Sequence, residues 1–208
     1  MKDEYDSLIR NGTWTLCKLP SGRKAIKSKW VFKAKTKDNG SIERYKARLV
    51  AQGFSQRIGI DYDDTFSHVA TMTTIRVLIG LKASAWRVRQ LDVDTAYLNA
   101  NLDVALYISQ PQRFQTKDVD NQAEPLVCKL NKAIYELKQA GLAWYKHLSK
   151  ILLTMGFRSN DSDTCLFIKG EDQTTILVAT YVDDIIVASK SLNSITDFET
   201  GIAKHPPR

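Results

Sequence analysis

The chain has 208 residues, of which 43% are hydrophobic and 25% are charged, enough for the core of one large domain or of a domain with an attached lobe. No run of about 18 apolar residues occurs and no apolar stretch follows Met1, so the sequence predicts neither a membrane span nor a signal peptide, and we expect an intracellular protein. The three cysteines and three histidines lack metal-ligand spacing, which argues against a disulfide framework, a zinc site and a serine–histidine hydrolase.

The net charge of +7 is concentrated in one segment. Residues 23–57 carry eleven Lys or Arg and two acids, a local charge of +9, which leaves −2 for the other 173 residues. A basic lobe beside a slightly acidic body indicates contact with a polyanion. A well-solvated, lysine-rich hairpin has the same composition, so charge alone does not choose between the two interpretations.

The first predicted element is a β-hairpin. Apolar and basic residues alternate from Lys29 to Lys37, Asp38-Asn39-Gly40 follows, and a second strand runs from Ile42 to Val50. An Asn-Gly pair between two such runs is a strong hairpin signal. Seven of the eleven Lys and Arg residues of segment 23–57 lie on this hairpin.

A helix and a strand are predicted next. Apolar residues recur at close to the helical period from Thr71 to Ala85, with Thr73 or Thr74 as the N-cap. The segment from Trp86 to Val93 then predicts a strand that ends at Asp92.

The middle of the chain predicts two short strands and the clearest helix. The strands are Leu106–Ser109 and Leu126–Leu130, which flank a polar loop, Gln115–Glu124. The helix runs from about Ala140 to Met155 with an apolar stripe that faces the core, and Gly156 is a natural stop.

The last third is predicted to be β-structure. Cys165–Lys169 pairs with Thr175–Thr180, and Ile185–Ser189 follows after only four residues, Tyr181-Val182-Asp183-Asp184. The predicted fold class is α+β, with helices packed on one face of an antiparallel sheet and a basic β-hairpin before it.

Three carboxylates carry the predicted chemistry. Asp183 and Asp184 stand side by side between two almost wholly apolar strands, where they repel each other unless a cation neutralises them. Asp92 ends another strand 91 residues before Asp183, so the two converge if their strands are neighbours in one sheet. Magnesium prefers such ligands, and polymerases use two ions for in-line phosphoryl transfer. Aspartate is also common in ordinary turns, so a structural role stays open.

The chain resembles reverse transcriptases of copia-type LTR retrotransposons. Tyr181-Val182-Asp183-Asp184 resembles their signature tetrad, and Gln90–Asn99 resembles their other metal-binding motif. Further similar stretches occur in the family's order at residues 29–33, 43–56, 59–66, 73–76, 110–111 and 143–145.

This resemblance implies a fingers–palm polymerase fold across residues 1–208. Residues up to about 85 would be mostly fingers, including the basic hairpin, and residues from 86 onward would be mostly palm with its antiparallel sheet. The thumb, RNase H, integrase and protease domains of such a Pol polyprotein are expected to lie outside this chain.

The implied activity is RNA-directed DNA polymerisation, in which a dNTP is joined to a primer 3′-hydroxyl on an RNA or DNA template. The implied cofactor is a pair of Mg²⁺ ions, with Mn²⁺ as a substitute. The implied partners are template, primer, dNTPs and the other Pol domains, with no membrane. The implied location is the cytoplasm, within a virus-like particle, or the nucleus.

The resemblance also implies roles for single residues. Asp92, Asp183 and Asp184 would be the catalytic metal ligands, with the carbonyl of Val93 assisting. Tyr97 stands where the family has an aromatic ring that excludes a 2′-hydroxyl, although an ordinary core tyrosine is an equal alternative.

Phosphate and template contacts are implied for a second set. Lys46 and Arg48 lie two apart on a strand and hence on one face, where they would bind the triphosphate; solvated cations are the alternative. Tyr181 is expected at the nucleotide, and the residues expected at template or primer are Lys33, Lys35, Gln139 and Val182.

Four departures from the family's pattern bear on activity. Glu136 replaces a usual Gly, which would allow close approach of backbone to template or nucleotide. Ala140-Gly141-Leu142 replaces Ser-Pro-Arg and removes a cation, Asp94 replaces a lysine, and Ser67-His68 replaces Ala-Pro. Two alternatives therefore stay open: a catalytically inactive remnant that at most binds nucleic acid, and an unrelated metal-dependent phosphodiesterase.

Overall fold

The computed structural model describes residues 1–116 and 125–204. Most of the expected polar loop Gln115–Glu124 and the last four residues of the chain lie outside this part. The helices are α1 (Lys2–Arg10), α2 (Met72–Gly80), α3 (Ala140–Thr154) and α4 (Leu192–Ala203). The strands are β1 (Trp14–Cys17), β2 (Ser28–Thr36), β3 (Ile42–Ala51), β4 (Arg87–Asp92), β5 (Asn101–Ser109), β6 (Val127–Lys132), β7 (Arg158–Ser159), β8 (Leu166–Lys169), β9 (Ile176–Tyr181) and β10 (Asp184–Ser189).

The fold is mixed α/β, and neighbouring strands within each sheet run antiparallel. Two compact units interleave along the chain. The first comprises Met1–Thr65 and Tyr97–Ala143, and the second comprises Phe66–Ala96 with the described residues from Trp144 onward. Each unit therefore combines segments that are distant in sequence, and local sequence patterns do not predict this combination.

The first unit contains the hairpin of β2 and β3 and a three-stranded sheet in the order β1-β6-β5. The hairpin register pairs Lys33 with Lys46 and Val31 with Arg48. Gly40 adopts φ 80° in the connection, a conformation that glycine allows without steric cost. Helix α1 and strand β1 were not expected from the sequence.

The second unit is built on a five-stranded sheet in the order β4-β10-β9-β8-β7. Ile185, Val187 and Val178 on β10 and β9 are at most 1% exposed, and so are their neighbours Ala179 and Ala188, whose side chains point to the opposite face. Both faces of these central strands are therefore covered, as continuous apolar runs rather than alternating ones require.

The helices of this unit lie on both faces of the sheet. Leu78 of α2 packs in one apolar cluster with Ala188 of β10. Arg89 stands opposite Val187 in the register, hence on the other face, and binds Glu199 of α4 at 2.8 Å. The expectation of helices on one face is therefore wrong, because a strand that is apolar on both sides needs cover on both sides.

Helix α2 begins one residue after Thr71, whose hydroxyl accepts a hydrogen bond from the backbone of Thr74 at 3.2 Å. The expected caps, Thr73 and Thr74, lie inside the first turn instead. The α-helix ends at Gly80, and a 3-10 turn, Leu81–Ser84, covers the rest of the expected span.

All three cysteines are free thiols. Burial raises the pKa of Cys128 to about 12 and that of Cys165 to about 11, so both side chains stay protonated and unreactive near neutral pH. Among the described residues, no helix has both the length and the apolar character that a membrane crossing needs.

Candidate active site

Two of the predicted carboxylates face each other across neighbouring strands. Asp92 is the last residue of β4, Asp184 is the first residue of β10, and the two are direct partners in the antiparallel register. Side chains at such positions share one face of the sheet with Cβ atoms about 5 Å apart. The two strands are neighbours in one sheet, which the sequence left as a condition, and the register partner of Asp92 is Asp184 and not Asp183.

Asp183 lies in the two-residue turn that joins β9 to β10. The other turn residue, Val182, has φ 54°, and a positive φ at the first central position alone is the pattern of a type II′ hairpin turn. A β-branched residue rarely adopts this conformation. The strain indicates that the surrounding structure holds the turn in place.

Two hydrogen bonds from outside the turn hold its backbone. The indole Nε1 of Trp144 on α3 donates to the carbonyl of Val182 at 2.6 Å. The backbone N–H of Val93 donates to the carbonyl of Asp183 at 2.9 Å. In the sequence Trp144 belongs to the apolar stripe of the predicted helix and to the family-like stretch 143–145. Neither observation predicts a hydrogen bond from its indole to the turn.

Gln90 is a site residue whose role the sequence did not reveal. Its Nε2 donates to Oδ1 of Asp184 at 2.8 Å. Gln90 precedes Asp92 by two residues on β4, so both side chains point to the same face of the sheet. The amide thus orients one carboxylate of the facing pair.

The donor set has the chemistry of a magnesium site, since carboxylate oxygens with substrate phosphates are the usual ligands of this ion. Asp92 is exposed and Asp184 is half-buried, so oxygens of the facing pair are open to solvent. Within residues 1–116 and 125–204, no three His, Cys, Asp or Glu side chains are gathered closely enough to hold a metal ion. The fit therefore rests on the facing pair, with Asp183 beside it in the turn.

The predicted phosphate-binding cations share one face of the basic hairpin, which we define as β2 and β3 with the residues between them. Lys33 and Lys46 are register partners, and alternation places Lys35 and Arg48 on the same side. Partial burial, with the charges of Arg48 and Lys35, lowers the pKa of Lys46, while Glu4 of α1 opposes this shift. The face is thus a concentrated positive surface with one carboxylate beside it.

Tyr97 lies in a 3-10 turn, Ala96–Asn99, and is half-buried. Its ring meets the ring of Tyr135 edge-on, with centroids 5.1 Å apart. The guanidinium carbon of Arg48 lies 4.6 Å from the centroid of the same Tyr135 ring. Two predicted nucleotide-binding residues are therefore joined by a third residue for which the sequence suggested no role.

Gln139 is 9% exposed and its amide is engaged inside the first unit. Its oxygen accepts from Gln56 at 2.9 Å, and its nitrogen donates to the carbonyl of Asp61 at 2.9 Å. These bonds give Gln139 a structural role that does not depend on a template. Tyr181, by contrast, is 42% exposed at the end of β9.

Glu136, the main departure from the family's pattern, is exposed and has φ 69°. A side chain in this left-handed region carries a steric cost that glycine does not. A methyl group added to Gly53 would overlap the carbonyl oxygen of Glu136. In this structure the partner that approaches the backbone of Glu136 is therefore Gly53.

A family model described as "Reverse transcriptase (RNA-dependent DNA polymerase)" matches residues 11–206. The chain is 39% identical over 206 residues to a retrovirus-related Pol polyprotein from transposon TNT 1-94 of Nicotiana tabacum, covering 98% of this chain and 15% of that protein. It is 44% identical over 189 residues to the Pol polyprotein from transposon RE1 of Arabidopsis thaliana, covering 90% of this chain and 13% of the relative. A third relative, from transposon RE2 of the same plant, is 42% identical over 207 residues, which are 99% of this chain and 13% of the relative.

The chain thus spans about 13–15% of the length of these relatives. The match covers nearly all of this chain, including both carboxylate motifs. The chain belongs to the reverse transcriptase (RNA-dependent DNA polymerase) family, in the form found in Pol polyproteins of plant copia-like retrotransposons.

Proposed function

We propose that this chain is the fingers and palm of a reverse transcriptase that performs two-metal nucleotidyl transfer. The observation that carries the proposal is the register pairing of Asp92 with Asp184, beside Asp183 in a strained turn. A turn that served only to reverse the chain would need neither facing carboxylates nor a β-branched residue at positive φ. In the proposed fold the five-stranded sheet of the second unit is the palm, and the basic hairpin belongs to the fingers.

Asp92, Asp183 and Asp184, with the carbonyl of Val93, would hold the metal ions. Mg²⁺ bound by these residues would supply a lowered pKa at the primer 3′-hydroxyl and would stabilise negative charge on the pyrophosphate leaving group. Gln90 fixes the direction of one oxygen of Asp184 through its 2.8 Å hydrogen bond. The Trp144 and Val93 hydrogen bonds hold the backbone of the turn that carries Asp183.

Lys46 and Arg48 would bind the triphosphate. The depressed pKa of Lys46 reflects its partial burial and crowding by other cations, and a polyanionic ligand would relieve that repulsion. Tyr97 would pack against the deoxyribose and exclude a 2′-hydroxyl. Lys33 and Lys35 would contact phosphates of the template or primer on the same face.

The parent polyprotein would supply the remaining Pol domains as partners. The polymerase would then act in the cytoplasm, within a virus-like particle, or in the nucleus. Its substrates would be dNTPs and a primed RNA or DNA template.

The second candidate is an inactive remnant that only binds nucleic acid. Two observations favour it: Glu136 occupies a left-handed position that its side chain disfavours, and Ala140-Gly141-Leu142 lacks a cation that the family's Ser-Pro-Arg has. Neither change alters Asp92, Asp183 or Asp184. The active polymerase and the inactive remnant would therefore have the same fold and differ only in activity.

Primer extension on poly(rA)–oligo(dT) with Mg²⁺ separates the two candidates. Asp92→Asn and Asp183→Asn should each reduce incorporation at least 100-fold, roughly the loss of a key transition-state interaction. Asp94→Asn is the matched control, because Asp94 is an exposed carboxylate two residues from Asp92; it should retain most activity.

Incorporation by the wild-type chain that does not exceed the Asp183→Asn level would exclude the polymerase proposal. Binding to the duplex that persists without Mg²⁺ would then support the remnant. Equal loss in Asp94→Asn and Asp92→Asn would show that bulk charge matters and that the register pairing does not.

A further inference from the structure

Tyr135 stands between the two residues assigned to nucleotide recognition, Arg48 and Tyr97. The Arg48 guanidinium carbon lies 4.6 Å from the centroid of its ring. The Tyr97 ring meets it at 5.1 Å between centroids and an interplanar angle of 76°. The first contact is a cation–π arrangement and the second is the edge-to-face geometry that aromatic pairs prefer. All three residues belong to the first compact unit.

The backbone holds Tyr135 firmly in this position. Its carbonyl accepts a hydrogen bond from the N–H of Ala51 at 3.0 Å, next to an isolated bridge between Tyr135 and Val50. Val50 lies two residues after Arg48 on β3, so their side chains share a face and Arg48 reaches the Tyr135 ring directly. These contacts with β3 therefore determine the position of the Tyr135 backbone.

The backbone of Tyr97 is tied to the same segment. The N–H of Ala133 donates to the carbonyl of Ala100 at 2.9 Å, and the N–H of Ala100 donates to the carbonyl of Tyr97 at 3.0 Å. Ala133 lies two positions before Tyr135 in the sequence. The ring contact and this hydrogen-bond path thus connect Tyr97 to Tyr135 in two ways.

The guanidinium of Arg48 has a cation–π contact with Tyr135. Its Nε is buried and, among the described residues, has no hydrogen-bond partner. The cation–π contact with Tyr135 restricts the position of the Arg48 guanidinium, while its charge stays available to an anionic ligand such as a triphosphate.

We propose that Tyr135 is a positioning residue that sets the selection of deoxyribonucleotides over ribonucleotides, by fixing the ring of Tyr97 and the guanidinium of Arg48 together. This inference rests on the proposed polymerase function. Tyr135 itself acts through its two neighbours. Loss of the ring loosens Tyr97, which weakens sugar selection, and releases Arg48, which raises KM for both kinds of nucleotide.

The test compares Tyr135→Met with Tyr135→Phe. Methionine fills much of the volume without an aromatic face, whereas phenylalanine keeps the ring and removes only the hydroxyl. Tyr107→Met is the matched control, since Tyr107 lies in the same unit with Arg23 over its ring at 5.6 Å and belongs to neither predicted site. Thermal unfolding of each variant checks that it is folded.

The first measurement is the ratio of kcat/KM for dATP to that for ATP on poly(rU)–oligo(dA). Tyr135→Met should lower this preference roughly fivefold, the scale of one lost aromatic pair, and raise KM for both nucleotides. Tyr135→Phe and Tyr107→Met should keep the wild-type ratio. An unchanged ratio in folded Tyr135→Met overturns the inference.

The second measurement does not require activity. The guanidinium carbon of Arg48 lies over the Tyr135 ring, so the NMR resonance of the Arg48 side-chain N–H protons should be shifted upfield in the wild type and in Tyr135→Phe, and should return to an ordinary position in Tyr135→Met. If the wild-type chain incorporates nothing, the polymerase proposal fails, and equilibrium competition between dATP and ATP then decides the selectivity inference. If the chemical shift of the Arg48 resonance is the same in Tyr135→Met and in the wild type, the contact between Arg48 and the Tyr135 ring is excluded.

Discussion

At the scale of single residues, Glu136 shows that a preference for glycine in a sequence has two possible causes, a special backbone conformation or close approach of a ligand. A family preference for glycine at this position suggested close approach by template or nucleotide. In the structure Glu136 has φ 69°, and the carbonyl of Glu136 is the atom against which Gly53 packs. The preference therefore has a sufficient cause in the fold, because both positions favour a residue without a Cβ.

Glu136→Gly should stabilise the chain by roughly 0.5–1 kcal/mol, because the strain of the left-handed conformation is removed. Part of that gain is offset by the greater entropy of glycine in the unfolded chain. The midpoint of urea unfolding measures the change in stability. Primer extension on the same variant then shows whether activity changes beyond the change in folded fraction.

Glu43→Gly is the control for this substitution. Glu43 is also exposed, but it lies within β3, where glycine weakens a strand. We expect this variant to lose stability. If both variants shift the midpoint in the same direction, the left-handed conformation is not the reason for the family's glycine.

At the scale of elements, the carboxylate of Asp163 binds both the start of α2 and Cys165, the residue just before β8. Oδ2 of Asp163 accepts from the backbone of Thr71 at 2.9 Å and from the hydroxyl of Thr74 at 2.6 Å. Its Oδ1 accepts from the backbone of Cys165 at 3.0 Å. A charge at this end of the helix also interacts favourably with the helix dipole.

Burial alone would raise the pKa of Asp163, but the hydrogen bonds from Thr74, Thr71 and Cys165 outweigh it and hold the pKa below its usual value. Because the folded-state pKa is depressed, the stabilisation is present above the unfolded pKa of about 4 and is lost as pH falls through the folded value. Asp163→Asn should cost roughly 1 kcal/mol at pH 7, since the carboxylate is partly solvated.

Urea unfolding of the wild type and of Asp163→Asn between pH 7 and pH 2.5 measures this effect. The difference in stability should be constant near neutral pH and should shrink below pH about 4. Asp161→Asn, an exposed aspartate two residues away, should show no such difference. If the difference in stability between the wild type and Asp163→Asn is as large at pH 2.5 as at pH 7, the charge of Asp163 does not contribute to stability.

At the scale of the whole molecule, the charge is divided unevenly. The segment 23–57 carries +9 while the chain as a whole carries +7. The strand register sorts these cations by side, so that Lys33, Lys35, Lys46 and Arg48 share one face of the basic hairpin. Like charges placed opposite each other weaken a hairpin, which makes a polyanion a favourable partner for this face.

Lys35→Ala should weaken binding to a primer–template duplex and reduce the slope of log affinity against log salt by about 0.9, the value for one lost phosphate contact. Fluorescence anisotropy at several salt concentrations without Mg²⁺ measures this slope. Lys146→Ala removes the same charge from an exposed site on α3 in the second unit and should leave the slope nearly unchanged. Equal slopes for the two variants would exclude a specific role for the hairpin face.

The sequence by itself determined the family, the hairpin, the clearest helix and the strands that carry Asp92 and Asp184. Each of these has a local signal: the Asn-Gly pair in the connection, the helical period of α3, and continuous apolar runs that end at carboxylates. The same apolar runs contained the information that both faces of the sheet are covered, although the predicted fold placed helices on one face.

Only the tertiary structure decided which distant residues contact one another. Such contacts join different elements of the chain. They are the hydrogen bond of Trp144 to the Val182 carbonyl, that of Gln90 to Asp184, that of Thr74 to Asp163, and the ring contacts of Tyr135 with Arg48 and Tyr97. Hydrophobic period reports which face of an element is buried, but it does not report which polar atom of another element meets that face. Register and side-chain direction supply that information, and they are fixed only when the units fold.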